Sequence, residues 1–99
     1  METKAQKAAK EQIRLKENAI IEYIKESGKY HLSEGSGYGY RYYVSVEEIV
    51  AKTEEIQRLI EEFNLDKKLL NQTIEKIYDC LMEKNYAGIA AKFAQKYNI

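Results

Sequence analysis

The chain has no proline and no tryptophan, a single cysteine, a single histidine and no excess of either charge. Without proline nothing interrupts a helix from within, so long helices are open to it. Cys80 stands alone, which excludes an internal disulfide, and its place inside a helical pattern reads as a small buried hydrophobe in a reducing setting. One histidine and one cysteine cannot make a Cys/His zinc set, and no His-Glu-x-x-His sequence occurs. No apolar run approaches the roughly 20 residues that span a bilayer, and the Lys- and Glu-studded start lacks a secretory hydrophobic segment. A cytoplasmic protein without metal, cofactor or membrane attachment is expected.

The 16 basic and 16 acidic side chains cancel, so total charge does not favour a polyanionic partner. Their distribution is uneven. Residues 1–45 carry eight basic and six acidic groups, residues 46–63 two and six, and residues 64–99 six and four. The acid is concentrated on one predicted helix. The chain's 99 residues make one domain with a thin core, which oligomerisation would reinforce.

The one stretch that does not read as helix runs from Gly35 to Val46. Gly35, Gly37 and Gly39 allow backbone angles closed to other residues. Tyr38, Tyr40, Tyr42 and Val44 then alternate with Gly39, Arg41, Tyr43 and Ser45, a period of two that signals a strand. Four of the nine tyrosines lie between Tyr38 and Tyr43. Tyr30 to Ser33 is the expected partner strand, with the turn near Glu34 to Gly37, giving a β-hairpin at about 30–44. A two-stranded hairpin is barely stable alone in water, so it must lie on a helix or pair with a second copy.

The rest of the chain follows helical spacing. Met1 to Gln12 has high helix propensity but little to bury, and reads as a solvated lead-in. Ile13, Ile20, Tyr23 and Ile24 share a face, and Ser27-Gly28 supplies a stop. Ser45-Val-Glu-Glu48 reads as a capping box opening the next helix, with Val44 and Ile49 as its hydrophobic staple. Val46, Ile49, Thr53, Ile56, Ile60 and Phe63 make a narrow seam. Leu65, Asp66 and Leu70 form a second staple and cap, followed by Leu70, Ile74, Ile77 and Leu81. Asn64 and Leu65 alone connect these two helices, which predicts an antiparallel α-hairpin over 46–84. Asn85 breaks that run, and Tyr86, Ile89, Ala90, Phe93, Ala94 and Tyr97 define a short closing helix, where Gly88 and the alanines would allow close approach to a neighbour. The predicted fold is therefore mainly α: a small helical bundle of one domain, residues 1–99, with a Tyr/Gly-rich hairpin inserted.

Chemistry is thinly represented. His31 with Ser27 or Ser33 can be drawn as a fragment of a triad, but a lone histidine in a hairpin is more often structural, and no catalytic residue is assigned. The glycine cluster lacks the spacing of a P-loop or a dinucleotide fingerprint. Lys4, Lys7, Lys10 and Arg14 line one side of the first helix, yet Glu2, Glu11 and Glu17 lie among them. The tyrosines carry the better case, because Tyr offers large area, few rotors and a polar tip. Tyr38, Tyr40, Arg41, Tyr42 and Tyr43 are the candidate binding residues, against the alternative that Tyr38, Tyr40, Tyr42 and Val44 simply cover the core.

These features predict a non-enzymatic protein-interaction module, a homo-oligomeric regulator or inhibitor of host machinery such as phages and other mobile elements encode. The richness in Lys, Ile, Glu, Asn and Tyr, whose codons are A/T-rich, fits an A/T-rich coding genome, that of a low-G+C bacterium or its mobile elements. Two other readings compete. Strand Tyr40 to Val46 followed by two helices resembles the element order of a ribbon-helix-helix DNA-binding regulator. A Tyr-rich hairpin with Arg41 also suits a protein that sequesters a nucleotide or other small molecule by stacking.

Overall fold

The computed structural model describes every residue except Glu34 and Ser36. Among the described residues four helices, α1 (Lys4–Glu26), α2 (Val46–Glu62), α3 (Lys68–Glu83) and α4 (Ala87–Tyr97), pack into a bundle, and two short strands, β1 (His31–Leu32) and β2 (Gly39–Tyr40), form an antiparallel hairpin between α1 and α2. The mainly helical architecture with a hairpin insertion is the one the periodicities predict. The expected turn falls partly on Glu34 and Ser36, outside the described residues.

The core is built from the predicted stripes. Ile13, Ile20 and Ile24 of α1 meet Ile49, Ile56 and Ile60 of α2, Ile74, Ile77, Cys80 and Leu81 of α3, and Ala90 and Phe93 of α4. Burial pushes the Cys80 thiol pKa up, which keeps the side chain an inert hydrophobe. Two buried hydroxyls are satisfied: Thr53 donates to the Ile49 carbonyl at 2.7 Å, and Thr73 donates to Glu17 of α1 at 2.8 Å. Lys76 closes on the same carboxylate at 3.2 Å, so one acidic side chain ties α1 to α3.

Helix ends follow local chemistry. Asn64 and Asn85 adopt left-handed backbone angles just past α2 and α3 (φ 53° and 63°), and Asn98 does so at the end of α4 (φ 57°). In each case the next amide reaches back to a carbonyl of the last turn: Leu65 to Ile60 at 2.8 Å, Tyr86 to Leu81 at 2.9 Å and Ile99 to Ala94 at 3.0 Å. Asparagine is the non-glycine residue most tolerant of that conformation, and the returning amide satisfies an otherwise orphaned carbonyl. Leu65 and Tyr86 then pack against the core. At the start of α3, Asp66 accepts the Lys68 amide at 2.9 Å, the capping contact expected of it.

One expectation holds in part and another needs correction. Most of Lys4–Gln12 is exposed, as its lack of apolar residues predicts, but the first turn is tied down rather than frayed. Thr3 and Gln6 form a reciprocal capping box, Ala9 is buried, and the Gln6 amide donates to the Phe63 carbonyl at 3.1 Å, docking the first turn on the end of α2. Gly88 makes no close approach: a Cβ placed there would meet nothing within 4 Å.

Candidate interaction surface

The hairpin is mounted on the carboxyl end of α1. The last four carbonyls of a helix lack helical partners, and here each finds one from a different source. Ser27 turns its amide to the Ile24 carbonyl at 3.3 Å and adds its hydroxyl at 2.7 Å. The Tyr23 carbonyl accepts the Tyr42 hydroxyl at 3.2 Å. The Lys25 and Ser27 carbonyls share the Lys84 ammonium, each at 3.2 Å. The Glu26 carbonyl accepts the Lys29 amide at 3.3 Å and lies 3.2 Å from His31 Nε2. A carbonyl can only accept, so Nε2 carries the proton in that contact.

Aromatic rings continue the mount outward. Tyr23 and Tyr42 stack with centroids 5.5 Å apart and planes 6° from parallel. His31 stacks on Tyr42 at 5.4 Å, and Tyr40 on His31 at 5.3 Å. Four rings thus lead from the helix surface along one face of the hairpin, at separations where such pairs contribute about 0.5–1.5 kcal/mol beyond their area. Below them Gly28, at φ 78°, donates its amide to the Tyr42 carbonyl at 2.7 Å. The Tyr86 hydroxyl lies 2.8 Å from that of Ser27. Because Ser27 already donates to Ile24, Tyr86 is the donor.

The capping box at α2 is rewired by the same mount. Ser45 Oγ accepts the Glu48 amide at 3.1 Å, as predicted. The return leg from Glu48 is replaced: the Tyr23 hydroxyl accepts the Ser45 amide at 3.2 Å and points its own hydrogen at Glu48 Oε2, 3.3 Å away. Desolvation raises the Tyr23 pKa, against a smaller lowering effect of the Ser45 amide, and desolvation likewise raises that of Tyr42. Both phenols stay neutral donors across the physiological range.

The candidate residues divide along this gradient. Tyr42 is half-buried and serves as the anchor, and Val44 beyond it is buried. Tyr40 is 53% exposed, Tyr38 78% and Tyr43 68%, and Arg41 is exposed as well. One strand face therefore begins in the core at Val44 and ends in the open at Tyr38, so the core-facing and surface-facing readings each hold for part of it. The β ladder is shorter than the tyrosine alternation suggests. His31 pairs with Tyr40 and Leu32 with Gly39; Arg41 to Ser45 leaves the ladder because the chain must turn down onto α1 and α2. The strand expected from Tyr40 to Val46 thus ends at Tyr40.

Tyr30 (60% exposed) and Leu32 (75% exposed) enlarge the apolar surface beyond the residues singled out from the sequence. Their signal in the sequence is weak: they lie in or beside β1, where the tyrosine density of residues 38–43 is missing. The Tyr30 ring crosses the hairpin over Gly39, where a Cβ would sit 2.0 Å from Tyr30 Cζ. Gly39 is therefore a seat for that ring.

Other features offer less. The basic line on α1 is partly neutralised by its own acids, through Lys10–Glu2 at 3.3 Å and the Arg14–Glu11 pair. A depression of about 270 Å³ beside Ile60 and Leu70 and one of about 250 Å³ beside Ile21 and Cys80 are rimmed by charged side chains and carry no hairpin residue. Among the described residues no group of three or more His, Cys, Asp or Glu converges as a metal set, and no helix is long and apolar enough to cross a membrane. Compared with known proteins, the chain matches no protein-family model, no curated protein and no solved structure.

Proposed function

We propose that the protein is a non-enzymatic protein-interaction module that presents Tyr38, Tyr40, Arg41 and Tyr43 to a partner protein from a preformed hairpin. One observation carries this reading: large exposed apolar side chains, scattered singly over the helices as Leu15 and Met82, are crowded together on the hairpin. A cluster of exposed apolar side chains of that kind marks interaction sites, and Tyr and Arg are the residues that dominate binding energy in them. The mount on α1 reduces the ordering cost of binding, since Tyr42 and His31 already hold the strands. A partner offering apolar surface flanked by carboxylates fits tyrosines interleaved with Arg41. The balanced charge of the chain favours a protein over a nucleic acid. His31, the sole histidine, is engaged in the mount, which supports a structural part for it. A small protein of this build acts by occupying a partner's surface, as regulators and inhibitors do.

The test is site-specific photocrosslinking in the native host. A benzophenone side chain at Tyr38 or Tyr43 should yield one dominant protein adduct, and the same group at Leu15 or Met82 should not. With that protein purified, Tyr38→Ala and Tyr43→Ala should each weaken binding roughly tenfold or more. Equal adducts from hairpin and control positions would refute the proposal, as would capture of nucleic acid alone with steeply salt-dependent affinity.

A further inference from the structure

The open edge of β1 is a second surface, distinct from the residues just assigned. In an antiparallel ladder only alternate pairs exchange hydrogen bonds. Ser33 donates its amide to the Tyr38 carbonyl at 2.8 Å, so Ser33 and Tyr38 form a bonded pair. The neighbouring pair, Leu32 with Gly39, is then the non-bonded one, and the amide and carbonyl of Leu32 turn away from β2. Extending the ladder back by one pair, as the inference below requires, turns those of Tyr30, just before β1, outward too. Among the described residues no helix runs alongside β1, whose one neighbouring element is β2.

Proteins blunt such edges with charge, proline or a covering element. On the β2 side a charged residue, Arg41, follows the strand directly. On the β1 edge Tyr30 and Leu32 are uncharged and exposed, and no proline occurs in the chain. An uncovered, uncharged edge flanked by two apolar side chains is also self-complementary under a two-fold axis through His31. Each Tyr30 then faces the other copy's Leu32, and each Lys29 faces Ser33. No like charges meet.

We infer that two copies of the chain join by antiparallel pairing of their β1 edges, Tyr30 of each opposite Leu32 of the other, making a four-stranded sheet from two hairpins. The contact is small, so it belongs with weak, reversible interfaces and forms at roughly tens to hundreds of micromolar. It gives two marginal strands the neighbours that a larger sheet supplies. It also leaves Tyr38, Tyr40, Arg41 and Tyr43 of both copies outside the pairing, so a dimer displays the proposed partner site twice. The dimer does not depend on what that partner is.

Sedimentation velocity on the full chain, from about 10 µM to 1 mM, should show a monomer passing into a dimer. Leu32→Pro removes the outward amide without taking a bond from the hairpin, and Leu32→Glu puts a charge on the edge. Each should lower association at least tenfold while the far-ultraviolet circular dichroism of the helices is unchanged. Leu15→Glu, on α1, should associate as wild type does. An equimolar mixture of the Leu32→Glu and Tyr30→Lys variants should recover association, because the carboxylate introduced in one copy then faces the ammonium introduced in the other. In a sample mixing labelled and unlabelled wild-type chains, isotope-filtered spectra should show contacts from the Tyr30 ring to the Leu32 methyls between copies. A strict monomer at the highest concentration would overturn the inference. So would undiminished dimerisation of both Leu32 variants, or failure of the mixture to recover. Loss of partner crosslinking with dimerisation intact would count against the functional proposal alone.

Discussion

Replacing Tyr42 separates the two jobs its side chain performs, ring packing and closing a carbonyl of α1. The ring is half-buried. A fully buried aromatic hides about 150–250 Å², so roughly 100 Å² is withdrawn from water here, contributing about 2.5 kcal/mol at ~25 cal/mol per Å². Chains in the unfolded state already bury some of that area, which lowers the figure to about 2 kcal/mol. Stacking on Tyr23 and His31 adds about 0.5–1.5 kcal/mol, and the hydroxyl bond to the Tyr23 carbonyl about 1 kcal/mol. Tyr42→Phe should therefore cost about 1 kcal/mol and Tyr42→Ala about 4 kcal/mol. Those losses correspond to midpoint drops of roughly 4–8 °C and 16–32 °C for a domain of this size. Thermal and urea unfolding followed by circular dichroism measures both. Equal losses for the two variants would show that the ring packing contributes nothing, and an unchanged Tyr42→Ala midpoint would refute the mount itself.

Further consequences follow from particular contacts. Ser45→Ala should destabilise by about 1 kcal/mol in urea unfolding, because the Glu48 amide loses its cap. Tyr97→Phe should be neutral or stabilising by up to about 1 kcal/mol: that hydroxyl is enclosed near Thr53 and makes no satisfactory hydrogen bond among the described residues, so removing it removes a desolvation cost. Asn85→Ala should cost about 1 kcal/mol while Asn85→Gly holds or gains stability, since the position is left-handed. Burial raises the pKa values of Tyr23, Tyr42 and Tyr97 above the ordinary 10.0. The unfolded chain then releases these protons first as pH rises, so stability is full below about pH 10 and falls above it. Urea midpoints measured from pH 8 to pH 11.5, about the tyrosine range, should decline less steeply in a variant with all three replaced by Phe.

Local chemistry is the most readable part of the chain. Ser45, Asp66 and the seam from Ile49 to Ile60 act through neighbours a few residues away, and the structure places each as its spacing demands. Thr3-x-x-Gln6 is the same kind of signal as Ser45-x-x-Glu48 but is easily passed over, because the residues after it are polar and the partner that makes it matter, the Phe63 carbonyl, is remote in sequence. The hairpin is legible as a hairpin and the tyrosine density as a feature of it. Its direction is not. Whether Tyr38 or Val44 lies inward is decided by where α1 ends and by the hydroxyls of Tyr23 and Tyr42, both long-range facts. The substitution of Tyr23 for Glu48 in the return leg of the capping box has the same origin: a phenol arriving from another helix displaces a local carboxylate.

Whether the hairpin is a built platform or a tether is tested most directly by amide hydrogen exchange at Gly28, whose N–H is held at 2.7 Å by the Tyr42 carbonyl. A platform clamped to the end of α1 requires that this amide exchange at least about a hundredfold more slowly than an unstructured peptide, and that Tyr42→Ala abolish the protection. Exchange of Gly28 at the unstructured rate, in a protein whose helical amides are protected, would contradict it.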